Sequence, residues 1–122
     1  MAKPPWQQRL RHMLEAISAI EQYTAGLDAS GYAENRLIAD AVERNLERLS
    51  EASRHIPADV KARFPGIPWR QVADAGNVLR HAYDGVSDAR VFQTVRADLP
   101  ALKGVVQQLL REDQDETNDD VR

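Results

Sequence analysis

The chain has 122 residues, a length that suits one domain with a hydrophobic core of its own. It contains no cysteine, which excludes disulfide frameworks, thiol nucleophiles and cysteine-based zinc sites and fits a reducing cytoplasm. The net charge of −3 is uneven, because residues 112–122 hold six acidic residues against one arginine, which leaves a small positive charge on residues 1–111.

Two long helices are predicted in the first half of the chain. The first begins after Pro4-Pro5 and ends near Gly26, and its apolar residues recur at helical spacing. The second runs from about Ala33 to Arg54 with a similar apolar stripe. The stripes consist of Leu10, Met13, Leu14, Ile17 and Ile20 in the first helix and of Leu37, Ile38, Ala41, Val42, Leu46 and Leu49 in the second.

A connector and two further helices are predicted in the second half. Prolines and a glycine between residues 57 and 68 break the pattern, with room for a short helical turn at 58–64. A third helix begins at Pro68 and ends at Gly85, and Ser87 and Asp88 cap the next helix. The fourth carries a continuous apolar seam from Val91 to Leu109, which Pro100 kinks or restarts.

The elements together predict an all-α fold. Strand-like alternation is absent and the connectors are short, which favours an up-and-down bundle of antiparallel helices. We expect a helical domain over residues 1–111 and a disordered acidic tail over residues 112–122, because that tail lacks apolar anchors. No apolar run approaches the roughly 20 residues of a membrane span, so we expect a cytoplasmic protein without a membrane segment.

The richest polar stretch is Gly76 to Tyr83, which places an amide, a guanidinium, an imidazole and a phenol within two helical turns. Asn77 and His81 are four residues apart and therefore share a helix face. An imidazole titrates near neutral pH, which suits acid–base work on a phosphodiester. A single histidine near a helix end is nevertheless more often a surface or capping group than a catalyst.

Neither a metal site nor a basic groove is assigned from the pattern. The three histidines, His12, His55 and His81, lack the spacing of a zinc-binding helix, and we expect no metal and no cofactor. Four arginines could line a basic groove, but scattered arginines are usually solvated. They are Arg9, Arg11, Arg63 and Arg70.

Several blocks of the sequence resemble the HepT-like members of the HEPN superfamily. These blocks are Phe64 to Arg70, the trio Asn77, His81 and Tyr83, the pair Gly85-Val86, and Asp98 to Leu102. The stretch Arg44 to Ala52 is similar to the family's second helix, where Gly-Glu-Ala usually stands in place of Ser50-Glu51-Ala52.

The resemblance implies a HEPN-like bundle of four or five helices that forms a homodimer and cleaves RNA without a metal. It also implies the toxin half of a HEPN/MNT toxin–antitoxin pair of type VII, with a minimal nucleotidyltransferase as the antitoxin. In such pairs the partner attaches AMP to the tyrosine two residues after the histidine, which is Tyr83 here.

One position departs from the family's catalytic motif. The motif reads arginine, a polar residue, three variable positions, histidine, one variable position and tyrosine, and Gly76 stands where the arginine is expected. A guanidinium supplies fixed charge and paired donors to a phosphate, and glycine supplies neither. Our hypothesis is that Arg80 reaches back across the space that glycine leaves open, which makes His81, Arg80 and Asn77 the catalytic set.

Two other functions stay open. An inactive member of the family would bind and restrain a nucleotidyltransferase without cutting RNA. An unrelated helical bundle would serve as an assembly or signalling adaptor.

Overall fold

The computed structural model describes residues 5–81 and 87–120, and of residues 80, 81 and 118–120 it describes the backbone alone. Over these residues the fold is entirely helical, as predicted, and consistent with a HEPN-like bundle. The helices in chain order are α1 (Trp6–Thr24), α2 (Ala29–Glu34), α3 (Arg36–Ser53), α4 (Ala58–Lys61), α5 (Trp69–His81), α6 (Asp88–Ala97) and α7 (Leu99–Asp120).

The predicted second helix is split in two. Asp28 caps α2 by accepting a 2.7 Å hydrogen bond from the Gly31 amide. Asn35 ends α2 and caps α3, because its Oδ1 accepts from the Ile38 amide at 3.0 Å. The predicted start at Ala33 lies within α2, whereas the apolar stripe from Leu37 to Leu49 lies wholly in α3, so the stripe fixed the helix but not where it begins. α1 does end near Gly26, whose φ of 77° lies in the left-handed region that favours glycine.

Pro100 restarts the last helix, as the sequence predicts. α6 ends at Ala97 and α7 begins at Leu99, so the proline lies in the first turn, where a missing amide proton costs no intrahelical bond. The predicted cap of α6 is also confirmed, since Ser87 Oγ accepts from the Arg90 amide at 3.2 Å.

α7 continues to Asp120, through residues for which the sequence predicts disorder. Arg63 donates two hydrogen bonds to the Glu112 carboxylate, at 3.0 and 2.9 Å, and Gln108 donates a third at 3.2 Å. These bonds from Arg63, and secondarily from Gln108, lower the pKa of Glu112. The helix therefore does not end at the predicted boundary of residue 111, while the division of the chain into a domain and a tail stays a prediction.

α3 lies at the centre of the bundle, with α1 on one side and α5 on another. α1 also packs against α7, and α2 packs against α6, where the rings of Tyr32 and Phe92 lie 5.4 Å apart. The Arg96 guanidinium on α6 donates to the carbonyls of Thr24 and Leu27, which joins α6 to the turn after α1. Among the helices described, none is both long and apolar enough to cross a membrane.

Candidate functional site

The predicted site residues lie at the C-terminal end of α5. The side chain of Asn77 is exposed, and position 81 lies one turn further along the same side of the helix. The side chains of Arg80 and His81, and the whole of Tyr83, lie outside the described residues. Their assignment as catalytic residues and as a modification site therefore stays a prediction.

A polar clamp fixes α5 to α3 one turn before Asn77. The hydroxyl of Ser50, which is 1% exposed, donates to the Ala73 carbonyl at 2.6 Å and accepts from the Gly76 amide at 3.2 Å. Arg54 donates to the same carbonyl through Nε at 3.1 Å and through a terminal guanidinium nitrogen at 2.8 Å. The end of α3 thus sets the position of the site-bearing helix.

Gly76 is buried at the closest approach of α5 to α3. A Cβ atom there would lie 3.2 Å from Ser50 Oγ, 3.4 Å from Ser50 Cβ and 3.7 Å from the Cα of Glu47. The space in the Cβ direction is therefore filled by Ser50, which corrects the premise that glycine leaves it open. The hypothesis that Arg80 replaces the missing arginine therefore loses this argument and stays a hypothesis.

The two departures from the family pattern are in contact with each other. A serine stands at position 50 where glycine is usual, and a glycine stands at position 76 where arginine is expected, and the Ser50 hydroxyl bonds to the Gly76 amide. Sequence reasoning noted both departures but treated them separately. Residues that lie 26 positions apart show no local signal of contact, so only the fold could join them.

A groove between α1 and α3 lies next to this contact, with a volume of about 540 Å³. Glu47 lines the groove, and its Cα is also the backbone atom nearest to the Cβ direction of Gly76. The charged and aromatic side chains of the groove are Arg9, His12, Glu15 and Tyr23 from α1 and Arg44, Glu47, Arg48 and Glu51 from α3. Sequence reasoning missed the groove, because it depends on how the two helices face each other.

A second charged cluster joins α3 to α6 away from α5. Arg36 lies 2.9 Å from Asp40, 3.6 Å from Glu43 and 3.7 Å from Asp88. Burial, with the nearby carboxylates of Glu43 and Asp88, raises the pKa of Tyr32 to about 12. The Tyr32 hydroxyl is buried and has no hydrogen-bond partner in the part of the chain that the structure describes.

The described side chains include no group of three or more His, Asp or Glu residues arranged to hold a metal ion. The polar groups on and around α5 are instead amide, hydroxyl, guanidinium and carboxylate.

The helical fold of the described residues is consistent with a HEPN-like bundle, the class of protein that the sequence resembles. A comparison with protein families matches residues 13–109 to the family Ribonuclease HepT-like. The chain belongs to this HepT-like ribonuclease family.

Two relatives show how far the similarity extends. A Thermococcus cleftensis protein named as a ribonuclease HepT is 39% identical over 100 residues, which cover 82% of this chain and 91% of the relative. A Methanocaldococcus jannaschii protein named as an RNase is 32% identical over 107 residues, which cover 88% of this chain and 98% of the relative. A comparison with solved structures gave no match.

Proposed function

We propose that the chain is a metal-independent RNA endonuclease, the toxin of a HEPN/MNT toxin–antitoxin pair that acts in the cytoplasm. The observation that carries the proposal is the family match over residues 13–109. The matched range includes the three residues of the motif, which are Asn77, His81 and Tyr83. The unrelated helical adaptor is excluded, because the chain belongs to the family.

The proposed reaction is a transesterification within the RNA backbone. The ribose 2′-oxygen attacks the adjacent phosphorus, the bond from phosphorus to the 5′-oxygen breaks, and a proton moves from the 2′-hydroxyl to the leaving oxygen. His81 takes or gives this proton, because imidazole is the side chain best suited to act as both acid and base in general acid–base catalysis. Asn77 and Arg80 stabilise the charge that develops on the phosphorane.

A homodimer would present two such sets of residues across one cleft. Val78, next to Asn77 on α5, is 53% exposed, so an apolar side chain is available for a subunit contact there. The pair of subunits would also supply both an acid and a base from one histidine per chain.

We propose further that a cognate minimal nucleotidyltransferase silences the toxin by attaching AMP to Tyr83. The added phosphate would repel RNA and block the cleft sterically. Incubation of the two proteins with ATP, followed by peptide mass spectrometry, should place the label on Tyr83. Labelling of Tyr23 or Tyr32 in its place would refute the assignment.

An inactive binding partner of the nucleotidyltransferase is the second candidate. It is favoured by Gly76, which is buried against Ser50 and brings no cation to the motif. This candidate predicts a stable complex with the transferase and intact RNA when the chain is expressed alone.

Expression of the chain without its partner distinguishes the two candidates. A nuclease should slow growth and degrade cellular RNA, and His81→Ala should abolish both effects. His55→Ala is the matched control, because His55 is exposed, pairs with Glu51 at 3.3 Å and does not belong to the motif on α5. Intact RNA with the wild-type chain at a verified level of folded protein would favour the inactive partner.

A further inference from the structure

We propose that the groove between α1 and α3 binds the single-stranded RNA that extends from the cleavage site. Its guanidinium groups hold the phosphates, and the ring of Tyr23 stacks on a base. The inference rests on the proposed nuclease function and adds a binding surface on helices that the catalytic motif does not use.

The first observation is an arginine with one buried guanidinium nitrogen that has no partner among the described residues. Arg9 is half-buried, and its Nε is fully buried and has no hydrogen-bond partner in the described structure. An unpaired guanidinium nitrogen is costly to bury, and a phosphate oxygen is the acceptor that a guanidinium pairs with best. Arg9 thus lines the groove with a guanidinium that no described residue neutralises, which a phosphate would do.

The second observation is the balance of charge along the groove. Two of its three glutamates are paired with arginines: Glu47 with Arg44 at 3.5 Å, and Glu51 with Arg54 at 3.3 Å. No ion pair of Arg9 or Arg48 occurs among residues 5–81 and 87–120, and the same holds for Glu15. Two unpaired guanidiniums therefore face a single unpaired carboxylate.

The third observation is an exposed aromatic ring at the far end. Tyr23 lines the groove, and its side chain is 41% exposed. The rise of α1 from Arg9 to Tyr23 is about 21 Å, enough for several nucleotides. A cationic groove with an aromatic platform is the usual arrangement for binding a single strand without sequence preference.

The groove also lies beside the proposed catalytic helix. Glu47 lines it and contacts the Gly76 region, one residue before Asn77. The groove therefore lies on the helix that packs directly against the proposed catalytic helix, and we infer that RNA bound at α5 continues into it. This continuity favours RNA over an unrelated acidic ligand.

Binding of labelled single-stranded RNA tests the inference. Fluorescence anisotropy would be measured on the full chain carrying His81→Ala, so that the RNA stays intact. Adding Arg9→Ala and Arg48→Ala should weaken binding about tenfold or more, and should reduce the slope of log K against log salt by about 1.4, near 0.7 per phosphate contact. Tyr23→Leu should weaken binding about fivefold or more with the salt slope unchanged.

The control pair removes the same charge outside the groove. Arg11 and Arg90 are exposed and do not line it, so their double alanine variant should change affinity less than about twofold. Arg48 is exposed, and Arg48→Ala alone leaves the buried part of the fold untouched. It should lower the salt slope by about 0.7 by itself.

Several outcomes would overturn the inference. Equal losses of RNA affinity in the groove pair and the control pair would mean that RNA is held by the overall positive charge and not by the groove. Unchanged affinity in the groove pair would exclude the groove as the binding site. A shift from dimer to monomer in the groove pair on size-exclusion chromatography would make the groove a contact between two copies. Absence of any RNA binding by the His81→Ala chain and the wild type would instead defeat the proposed function itself.

Discussion

Gly76 and Ser50 are in close contact, and the Ser50 side chain leaves little room for a side chain at position 76. The Ser50 hydroxyl is held by the Ala73 carbonyl at 2.6 Å, so it cannot move aside easily for a Cβ at position 76. A glycine within a helix is normally costly, and here close helix packing explains it. The Ser50 side chain thus fills the space that a side chain at position 76 would need.

Gly76→Ala should lower the free energy of unfolding by about 1 kcal/mol, because crowding costs more than the gain in helix propensity. In a Ser50→Gly background the same change should raise stability. Urea unfolding of the four variants gives the coupling energy directly. Gly104→Ala on α7, where nothing lies within 4 Å, is the control and should stabilise by about 0.5–1 kcal/mol. A coupling energy near zero would contradict the contact.

Tyr32→Phe should keep or raise stability, by up to about 1 kcal/mol, because the hydroxyl it removes is buried without a partner. The pKa of Tyr32 is raised in the fold, so the stabilisation from the neutral phenol is complete below pH 10 and is lost as the pH rises towards about 12. Unfolding measured against pH should show this alkaline loss in the wild type and a smaller loss in the variant. A destabilisation above about 1 kcal/mol would show that the hydroxyl has a partner.

At the scale of elements, the clamp on the Ala73 carbonyl joins α3 to α5. Arg54→Met should weaken this joint, since it removes two charged hydrogen bonds and keeps most of the aliphatic stem. Faster amide hydrogen exchange in α5, with α1 unchanged, would be the signature. Arg70→Met, an exposed change on α5 itself, is the control and should leave exchange unaffected. Equal exchange in both variants would contradict the clamp.

Local chemistry made much of the helix order predictable from the sequence. The end of α1 near Gly26, the Ser87 cap and the restart at Pro100 each depend on a few adjacent residues. The break at Asn35 was missed, because the start of the second helix was placed at Ala33 and the capping role of the Asn35 side chain was not recognised.

The candidate site was predictable in part. Helical spacing placed Asn77 on α5 and position 81 one turn further on, as the backbone has them. The Ser50–Gly76 contact and the groove beside Arg9 depend on which faces of α1, α3 and α5 meet, and a single sequence carries no signal of that. The roles of His81, Arg80 and Tyr83 stay predictions.

At the scale of the whole molecule, shared catalysis across a dimer can be measured with mixed dimers. A dimer of one wild-type and one His81→Ala subunit, purified through two different tags, should lose most of the RNA cleavage of the wild-type dimer, because one cleft needs both imidazoles. A mixed dimer with His55→Ala should retain full cleavage. If the mixed dimer with one His81→Ala subunit kept half or more of the wild-type activity, shared catalysis would be rejected.

The packing of α1 against α7 joins opposite ends of the chain. Lys103 on α7 pairs with Glu21 on α1 at 2.7 Å, and Arg96 bonds the carbonyls of Thr24 and Leu27. A growing polypeptide cannot make these contacts until its final third has left the ribosome. α3 is made early and can cover its share of α1, but the part of α1 that α7 covers stays exposed until the final third emerges, and a chaperone that shields hydrophobic segments has that interval in which to act.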